Sequence, residues 1–410
     1  MKFLIVTLNY CPEITGIGKY TTEMAEWLAN RNYEVRVITA PPYYPQYKIW
    51  NGYKSAYSKI KIKNVTVFRC PLWLPLKLSP FNRIFHLVSF LISSFPIGLL
   101  QIKWKPDLIL LNEPPFICAP IVLLLSLITK SKTWLHIQDF EIDIFLGLSN
   151  NRHGVISKTI RQFESIVTNK FTIVSSISKR MVEKILEKEV ASNKAFLFPN
   201  WVDTTDVNSG NNKINFRKLW NINEQSFVLL YSGTIGNKQG LEIICNIASK
   251  MQDQPNLVFL IVGEGVGKQS LVKIVEQNKV SNIIFKPMQP VEALPSLLNC
   301  SDVHLVIQKK SFADSVLPSK LVTILSVGGV SLITADLNTE LSNLVRDNPN
   351  IAIIVEPENE KKLIDAILSI QADKKLQQKI KSVAREFAVK NLDKESVLSA
   401  FEKQAIGLVN

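Results

Sequence analysis

The chain has 410 residues, room for two or three domains, and its 46% apolar and 20% charged content excludes a disordered or fibrous protein. The net charge of +13 is lopsided: residues 1–200 hold 25 Lys+Arg against 13 Asp+Glu, and residues 201–410 hold 23 against 22. Five cysteines (Cys11, Cys70, Cys118, Cys245, Cys300), odd in number and without a CxxC, exclude a disulfide framework and read as reduced thiols, and the four histidines show no metal-ligand spacing.

Residues 2–8 are too short for a secretory h-region with a cleavage site and predict a buried strand over 3–8. The turn after it carries Gly16, Ile17 and Gly18 and opens a helix over 18–30. Two glycines let a ligand approach the backbone, and a helix start offers unpaired N–H groups to an anion; a plain tight turn would read the same way. Thr21 stands where GxGxxG needs its third glycine, which argues against a nicotinamide-dependent oxidoreductase.

Strands follow over 35–39 and 65–69. From Val35 to Pro106 there is no acidic residue, while Lys48, Lys54, Lys59, Lys61, Lys63, Lys103 and Lys105 alternate with Tyr43, Tyr47, Trp50, Tyr57 and Trp73. Such a surface suits anionic lipid headgroups, a solvated basic face or nucleic acid. No nucleic-acid module is visible, so contact with an anionic membrane surface is expected and nucleic acid is not. The apolar stretches 84–102 and 116–129 are interrupted by polar residues or too short to span, and read as buried or interfacial helices.

Strands at 107–111, 133–137, 171–174 and 195–198 alternate with helices at 155–168 and 178–188. His136, Gln138, Asp139, Glu141 and Asp143 crowd the end of the 133–137 strand, where polar groups can bind sugar hydroxyls or orient a reacting group. A polar run at 203–215 is the linker candidate. A second alternating series follows, with strands at 227–231, 257–262, 283–285, 303–307, 331–334 and 351–355, and two closing helices at 374–390 and 395–408. The expected fold class is therefore α/β, two doubly wound Rossmann-like domains facing across a cleft.

Two motifs of the second series suit phosphate. Ser232, Gly233, Thr234 and Lys238 follow its first strand and form a cradle without the GKS/T ending of a P-loop. Asp314, Ser315, Val316, Leu317, Pro318, Ser319, Lys320 and Thr323 run into a helix whose first turn tolerates Pro318 and presents Ser319 and Lys320 to an anion.

With NYCPEITGIGKYTTEMAEWLA, HIQDFEID, FPNWVD, SGTIGNKQGLE and ADSVLPSKL in view, the whole chain resembles the GT-B-fold glycosyltransferases of family four, close to the exopolysaccharide and O-antigen sugar transferases. The resemblance implies an N-terminal acceptor-side domain over 1–205, a nucleotide-sugar-binding domain over 206–392, and a C-terminal helical part, 393–410, crossing back to the first. It implies a retaining, metal-independent transfer of a hexose or deoxyhexose from a nucleoside diphosphate sugar, UDP favoured over GDP, with no cofactor. The acceptor is a saccharide or a polyprenyl-linked saccharide at the inner face of the membrane.

By the same resemblance, His136 and Asp139 lie at the reacting centre, and Lys238 and Lys320 neutralise the departing diphosphate. Gly16, Ile17, Gly18, Ser232, Gly233 and Ser319 contact the donor. Glu264 and the segment Lys286, Pro287 and Met288 lie near the nucleoside. Ser315 and Thr323 occupy positions where the wider family often has glutamates, Thr234 replaces an arginine, and Asp314 stands in for a lost carboxylate. An epimerase or hydrolase on the same fold, or a non-enzymatic assembly protein, are the alternatives.

Overall fold

The structure is a computed structural model that describes residues 1–13, 16–75, 80–148, 154–205, 214–236, 239–310, 318–337 and 339–409. It divides into two compact units: Met1–Pro199 with Leu398–Asn410, and Asn200–Val397. The boundary thus falls shortly before Thr205, inside the FPNWVD segment rather than after it.

The first unit is built on an eight-stranded sheet, ordered β3-β4-β2-β1-β5-β6-β7-β8. Its strands are β1 (Lys2–Val6), β2 (Glu34–Thr39), β3 (Ser58–Ile62), β4 (Val65–Arg69), β5 (Leu108–Glu113), β6 (Lys132–Ile137), β7 (Ile173–Ser176) and β8 (Ala195–Leu197). All pairs are parallel except β3 with β4. The central strands carry apolar side chains on both faces because helices cover both. Strand β3 was not anticipated. It is an exposed antiparallel edge bearing Lys59 and Lys61, charges that discourage further pairing, and it lacks the apolar run of its neighbours.

The helices of this unit are α1 (Ile17–Asn30), α2 (Pro80–Leu100), α3 (Ala119–Thr129), α4 (Glu141–Leu148), α5 (Val155–Asn169) and α6 (Lys179–Glu187). The polar cluster after β6 runs into helix α4, which was not anticipated and whose first turn carries Glu141 and Asp143, a favourable place for acidic side chains. Helices α2 and α3 meet at Gly98, where an added Cβ would stand 3.1 Å from a Leu125 methyl.

The second unit has a six-stranded parallel sheet, ordered β11-β10-β9-β12-β13-β14. Its strands are β9 (Phe227–Ser232), β10 (Leu257–Val262), β11 (Ile283–Lys286), β12 (Val303–Val306), β13 (Ser331–Thr334) and β14 (Ile353–Val355). Alternate residues feed two cores, one on each face: Leu230, Leu260 and Val306 enter one, and Leu229, Phe259 and Leu305 the other. The helices are α7 (Phe216–Leu219), α8 (Glu242–Lys250), α9 (Lys268–Gln277), α10 (Leu294–Asn299), α11 (Ser319–Ser326), α12 (Glu340–Asp347), α13 (Glu360–Ala372) and α14 (Lys374–Asn391).

The last helix, α15 (Lys394–Val409), leaves the second unit, and from Leu398 onward it belongs to the first. There Phe401 stacks on Phe198 at 4.9 Å and leans on Trp134 at 4.7 Å, while Glu402 accepts a hydrogen bond from the Tyr33 hydroxyl (2.8 Å). Of the two closing helices only α15 does this. Helix α14 stays with α11, because its small Ala384 and Ala388 are buried in the second unit's core.

Candidate active site

Each sheet gathers polar residues at the carboxyl ends of its strands, where open α/β sheets bind ligands. In the first unit the turn after β1 is held by Glu13, which is buried and accepts hydrogen bonds from the backbone N–H of Tyr43 and Tyr44 (both 2.7 Å) and from Asn9 Nδ2 (2.9 Å). Gly18 packs so tightly on this turn that an added Cβ would stand 2.8 Å from the Glu13 carbonyl oxygen. Gly16 is exposed, has φ 57°, and caps α1 without a side-chain hydrogen bond. Ile17 and Gly18 follow as the first helical residues. Thr21 receives a hydrogen bond from Asn112 Nδ2 (2.7 Å), which ties α1 to β5.

His136 lies near the end of β6, level with Asn112 of β5 and Ser175 of β7. It is buried, and the Phe198 ring lies 4.9 Å away. Gln138 Nε2 donates to His136 Nε2 (3.0 Å), so the imidazole proton sits on Nδ1, 2.9 Å from Ser175 Oγ. Burial pushes the imidazole pKa down to about 3, so the ring is neutral. A neutral, doubly bonded ring orients and polarises its neighbours; it is not a store of positive charge. Asp139 follows on the short link to α4, close enough to raise the Tyr44 and Glu141 pKa values.

Glu141, named in the polar cluster after β6, is joined by a carboxyl group that the sequence reading missed, Glu113. Glu113 ends β5 and is fully buried; its Oε1 accepts the Glu141 backbone N–H (3.0 Å), and its Oε2 has no hydrogen-bond partner among the described residues. Glu141 in turn accepts the Phe116 N–H (3.0 Å), with Arg83 4.0 Å from its other oxygen. Desolvation, then the neighbouring Glu141, holds the Glu113 pKa well above the carboxylate range. The available signal was a carboxyl residue following the apolar run 108–111 and Asn112 at the end of β5.

In the second unit Ser232 ends β9 and Gly233 follows with φ 136°. The loops after β9 and β10 press backbone against backbone. Gly233 N–H donates to Val262 O and Ile235 N–H to Glu264 O (both 2.9 Å), and an added Cβ on Gly263 would stand 1.9 Å from Gly233 O. Pro318 caps α11 in an extended conformation, so Ser319 and Lys320 form the first helical turn, whose amides have no side-chain cap.

Lys320 Nζ reaches back over the Tyr231 ring, 4.0 Å from its centroid, and lies 3.3 Å from where a Cβ on Gly233 would stand. Tyr231 is fixed by its hydroxyl, which donates to Thr234 O (2.7 Å). Desolvation lowers the Lys320 pKa to about 8, and among the described residues no carboxylate pairs with it. An enclosed ammonium facing a glycine backbone and a helix N-terminus is a place for an anion.

Of the other expected residues, Glu264 lies on the loop that meets the Gly233 loop, and the Lys286 carbonyl accepts from the Gly263 N–H (3.1 Å). Glu264 pairs with Lys268 (2.7 Å), Lys286 Nζ lies 5.7 Å from the Trp220 ring, Pro287 accepts from Gln289 (2.8 Å), and Met288 is exposed. Thr323 lies three residues beyond Lys320 on α11. Lys238, Asp314, Ser315, Val316 and Leu317 fall outside the described residues, as does the side chain of Ser319.

Residues 212–387 match the group 1 glycosyl transferases and residues 15–201 the glycosyl transferase 4-like domain. The chain is 43% identical over 412 residues to an Escherichia coli K12 protein named as a colanic acid biosynthesis glycosyl transferase, WcaI, with 98% of both chains covered. The chain belongs to this glycosyltransferase family. An uncharacterized glycosyltransferase of Methanocaldococcus jannaschii, MJ1607, is 24% identical over 75% of the chain and 74% of its own length.

Among solved structures, a sucrose-phosphate synthase from Thermosynechococcus elongatus shares the glycosyltransferase's fold, with TM-score 0.76 at 15% identity over 99% of this chain and 98% of that one. Anabaena Alr3699/HepE, solved in complex with UDP, does so with TM-score 0.71 at 14% identity over 99% and 100%. Two α/β units with parallel sheets, each with polar residues at its strand ends, are thus the GT-B architecture.

Proposed function

We propose that this glycosyltransferase moves a hexose or deoxyhexose from a UDP-sugar, with retention of configuration, to a saccharide or polyprenyl-linked acceptor in the synthesis of a cell-envelope exopolysaccharide. The observation that carries the donor half is the enclosed Lys320 ammonium against Gly233 at the start of α11, paired with no carboxylate among the described residues. Burying that charge costs free energy, and a diphosphate seated between the Gly233 backbone and the α11 amides would recover it. The relative named for colanic acid biosynthesis supports the pathway class, and the UDP complex of a structural neighbour supports the nucleoside.

In this reading Lys320, Lys238 and the first α11 amides neutralise the charge that grows as the bond from the sugar to the diphosphate breaks. A donor phosphate oxygen takes the proton of the acceptor hydroxyl, whose oxygen bonds to the anomeric carbon on the same face. His136, neutral and fixed, orients the sugar near Asp139. The basic first unit works at the inner face of the membrane, where a lipid-linked acceptor would be presented.

The test is a thermal-shift panel with UDP, GDP, ADP and dTDP and their sugars. A ligand at a hundred times its dissociation constant adds about 2.7 kcal/mol. UDP is expected to stabilise the wild type and not Lys320→Ala. No shift with any nucleotide, or an undiminished shift in the variant, refutes the donor site. Turnover of donor without acceptor would point to a hydrolase or epimerase instead.

A further inference from the structure

Helix α2 is built inside out. Between Ile84 and Leu100 its only polar side chains are His86, Ser89, Ser93 and Ser94, and these turn inward. His86 bonds the Trp73 carbonyl (2.8 Å) and the Tyr43 hydroxyl (3.3 Å), Ser89 accepts from the Trp73 N–H (3.0 Å), and Ser93 and Ser94 are buried. The outward stripe is apolar at helical spacing: Phe85 is 63% exposed and Ile92 67%, with Phe95 and Leu99 continuing the line. The segment Asn82–Leu100 has mean hydropathy 1.6, yet only 33% of it is buried. A core helix of that composition would show the reverse.

Helix α3 extends the face. It packs beside α2 at Gly98 and carries no charge; Leu127 is 78% exposed, and Leu124 and Ile128 lie with it. Both helices are crossovers between parallel strands, so their C-termini lie at the same edge of the sheet, where Lys103, Lys105, Lys130 and Lys132 are all exposed. None of these four lysines forms an ion pair among the described residues.

We infer that the outward face of α2 and α3 is a membrane-docking surface, which beds into the headgroup and acyl boundary of an anionic bilayer while the lysine rim holds phosphate headgroups. An apolar helix face rimmed by cations is the pattern of an interfacial, non-spanning anchor. Charge decides against a second copy as the occupant: residues 1–200 hold 25 Lys+Arg against 13 Asp+Glu, so a second copy brings like charge to the contact, whereas an anionic lipid layer neutralises it. This deepens the membrane part of the proposed function and is independent of the donor chemistry.

The test is flotation of the full-length chain with vesicles of phosphatidylcholine alone or mixed with phosphatidylglycerol, at low and high salt. The variants are Ile92→Glu with Leu127→Glu, and separately Lys103→Ser with Lys130→Ser. The wild type is expected to float with the anionic vesicles and to be released by salt. The acidic pair should lose about tenfold in partitioning per substitution, and the lysine pair, with two of the four rim charges removed, should bind more weakly and show a clearly smaller salt dependence. Because the substituted side chains face outward, the melting curve and the UDP-induced shift should stay as in the wild type, so failure of docking and failure of the donor site are told apart. The inference is overturned if the wild type does not float, if the acidic pair floats equally well, or if that pair instead splits a dimer that never bound vesicles.

Discussion

The ammonium of Lys320 stands 3.3 Å from the position a β-carbon would take on Gly233, although the two residues lie far apart in sequence. The glycine keeps one wall of a small space open, and the lysine supplies its charge. Gly233 also has φ 136°, a conformation that resists any side chain. Gly233→Val is therefore expected to cost about 1–3 kcal/mol of stability and to abolish UDP stabilisation, read by paired thermal melts with and without nucleotide.

Lys320→Met should separate stability from binding. Near neutral pH the wild type holds a desolvated charge that the methionine lacks, so the apo variant is expected to be more stable by about 1–3 kcal/mol in chemical denaturation. The same variant should lose UDP binding. A destabilised variant that still bound UDP would contradict the site.

The lowered Lys320 pKa, about 8, sets a pH window for donor binding. Below it the free enzyme already carries the charge that a diphosphate needs. Above it binding must first take up a proton, so the UDP dissociation constant is expected to rise about tenfold per pH unit. Isothermal titration in two buffers of different ionisation enthalpy would show the coupled proton uptake above pH 8 and none below pH 7. A flat affinity across that range would contradict the assignment.

Glu113 predicts a pH dependence of stability instead of binding. Its pKa is raised in the fold, so below the ordinary carboxylate range the folded and unfolded chains are protonated alike. As pH rises past about 4.5 the unfolded chain ionises while the folded chain keeps its proton, and stability is lost until the raised pKa is passed. Glu113→Gln cannot ionise. Its urea midpoint should therefore gain on the wild type as pH rises from 4 to 8, and parallel midpoints would show that Glu113 is not held protonated.

Phe401 is fully buried against Phe198 and Trp134. Phe401→Ala should cost about 3–5 kcal/mol, the range for a buried phenylalanine, and lower the melting temperature of the first unit.

The alternation of strands and helices was legible because buried parallel strands are apolar throughout, and the strand-end positions of His136 and Gly233 and the helix-start position of Lys320 follow from it. Glu113 was less legible, because a buried carboxyl in sequence looks like any surface glutamate until the neighbouring strands enclose it. Strand β3 was hidden because edge strands carry no burial signature. Composition identified α2 as apolar but not which side faced out: His86 and Ser93 would ordinarily mark the wet face, and tertiary hydrogen bonds reverse that. The pairing of Lys320 with Gly233 depends on two loops meeting, which no local pattern encodes.

The membership of α15 in the first unit has a consequence for biosynthesis. Phe198 and Trp134 emerge from the ribosome long before Phe401, the aromatic ring that covers them from the far side of the second unit's sequence. The amino-terminal half must wait, with that hydrophobic seam uncovered, until the second unit and α15 have been made. Completion of the first unit thus reports that the second has been made, and a nascent chain cut short anywhere before Leu398 carries an open seam for chaperones and proteases to find.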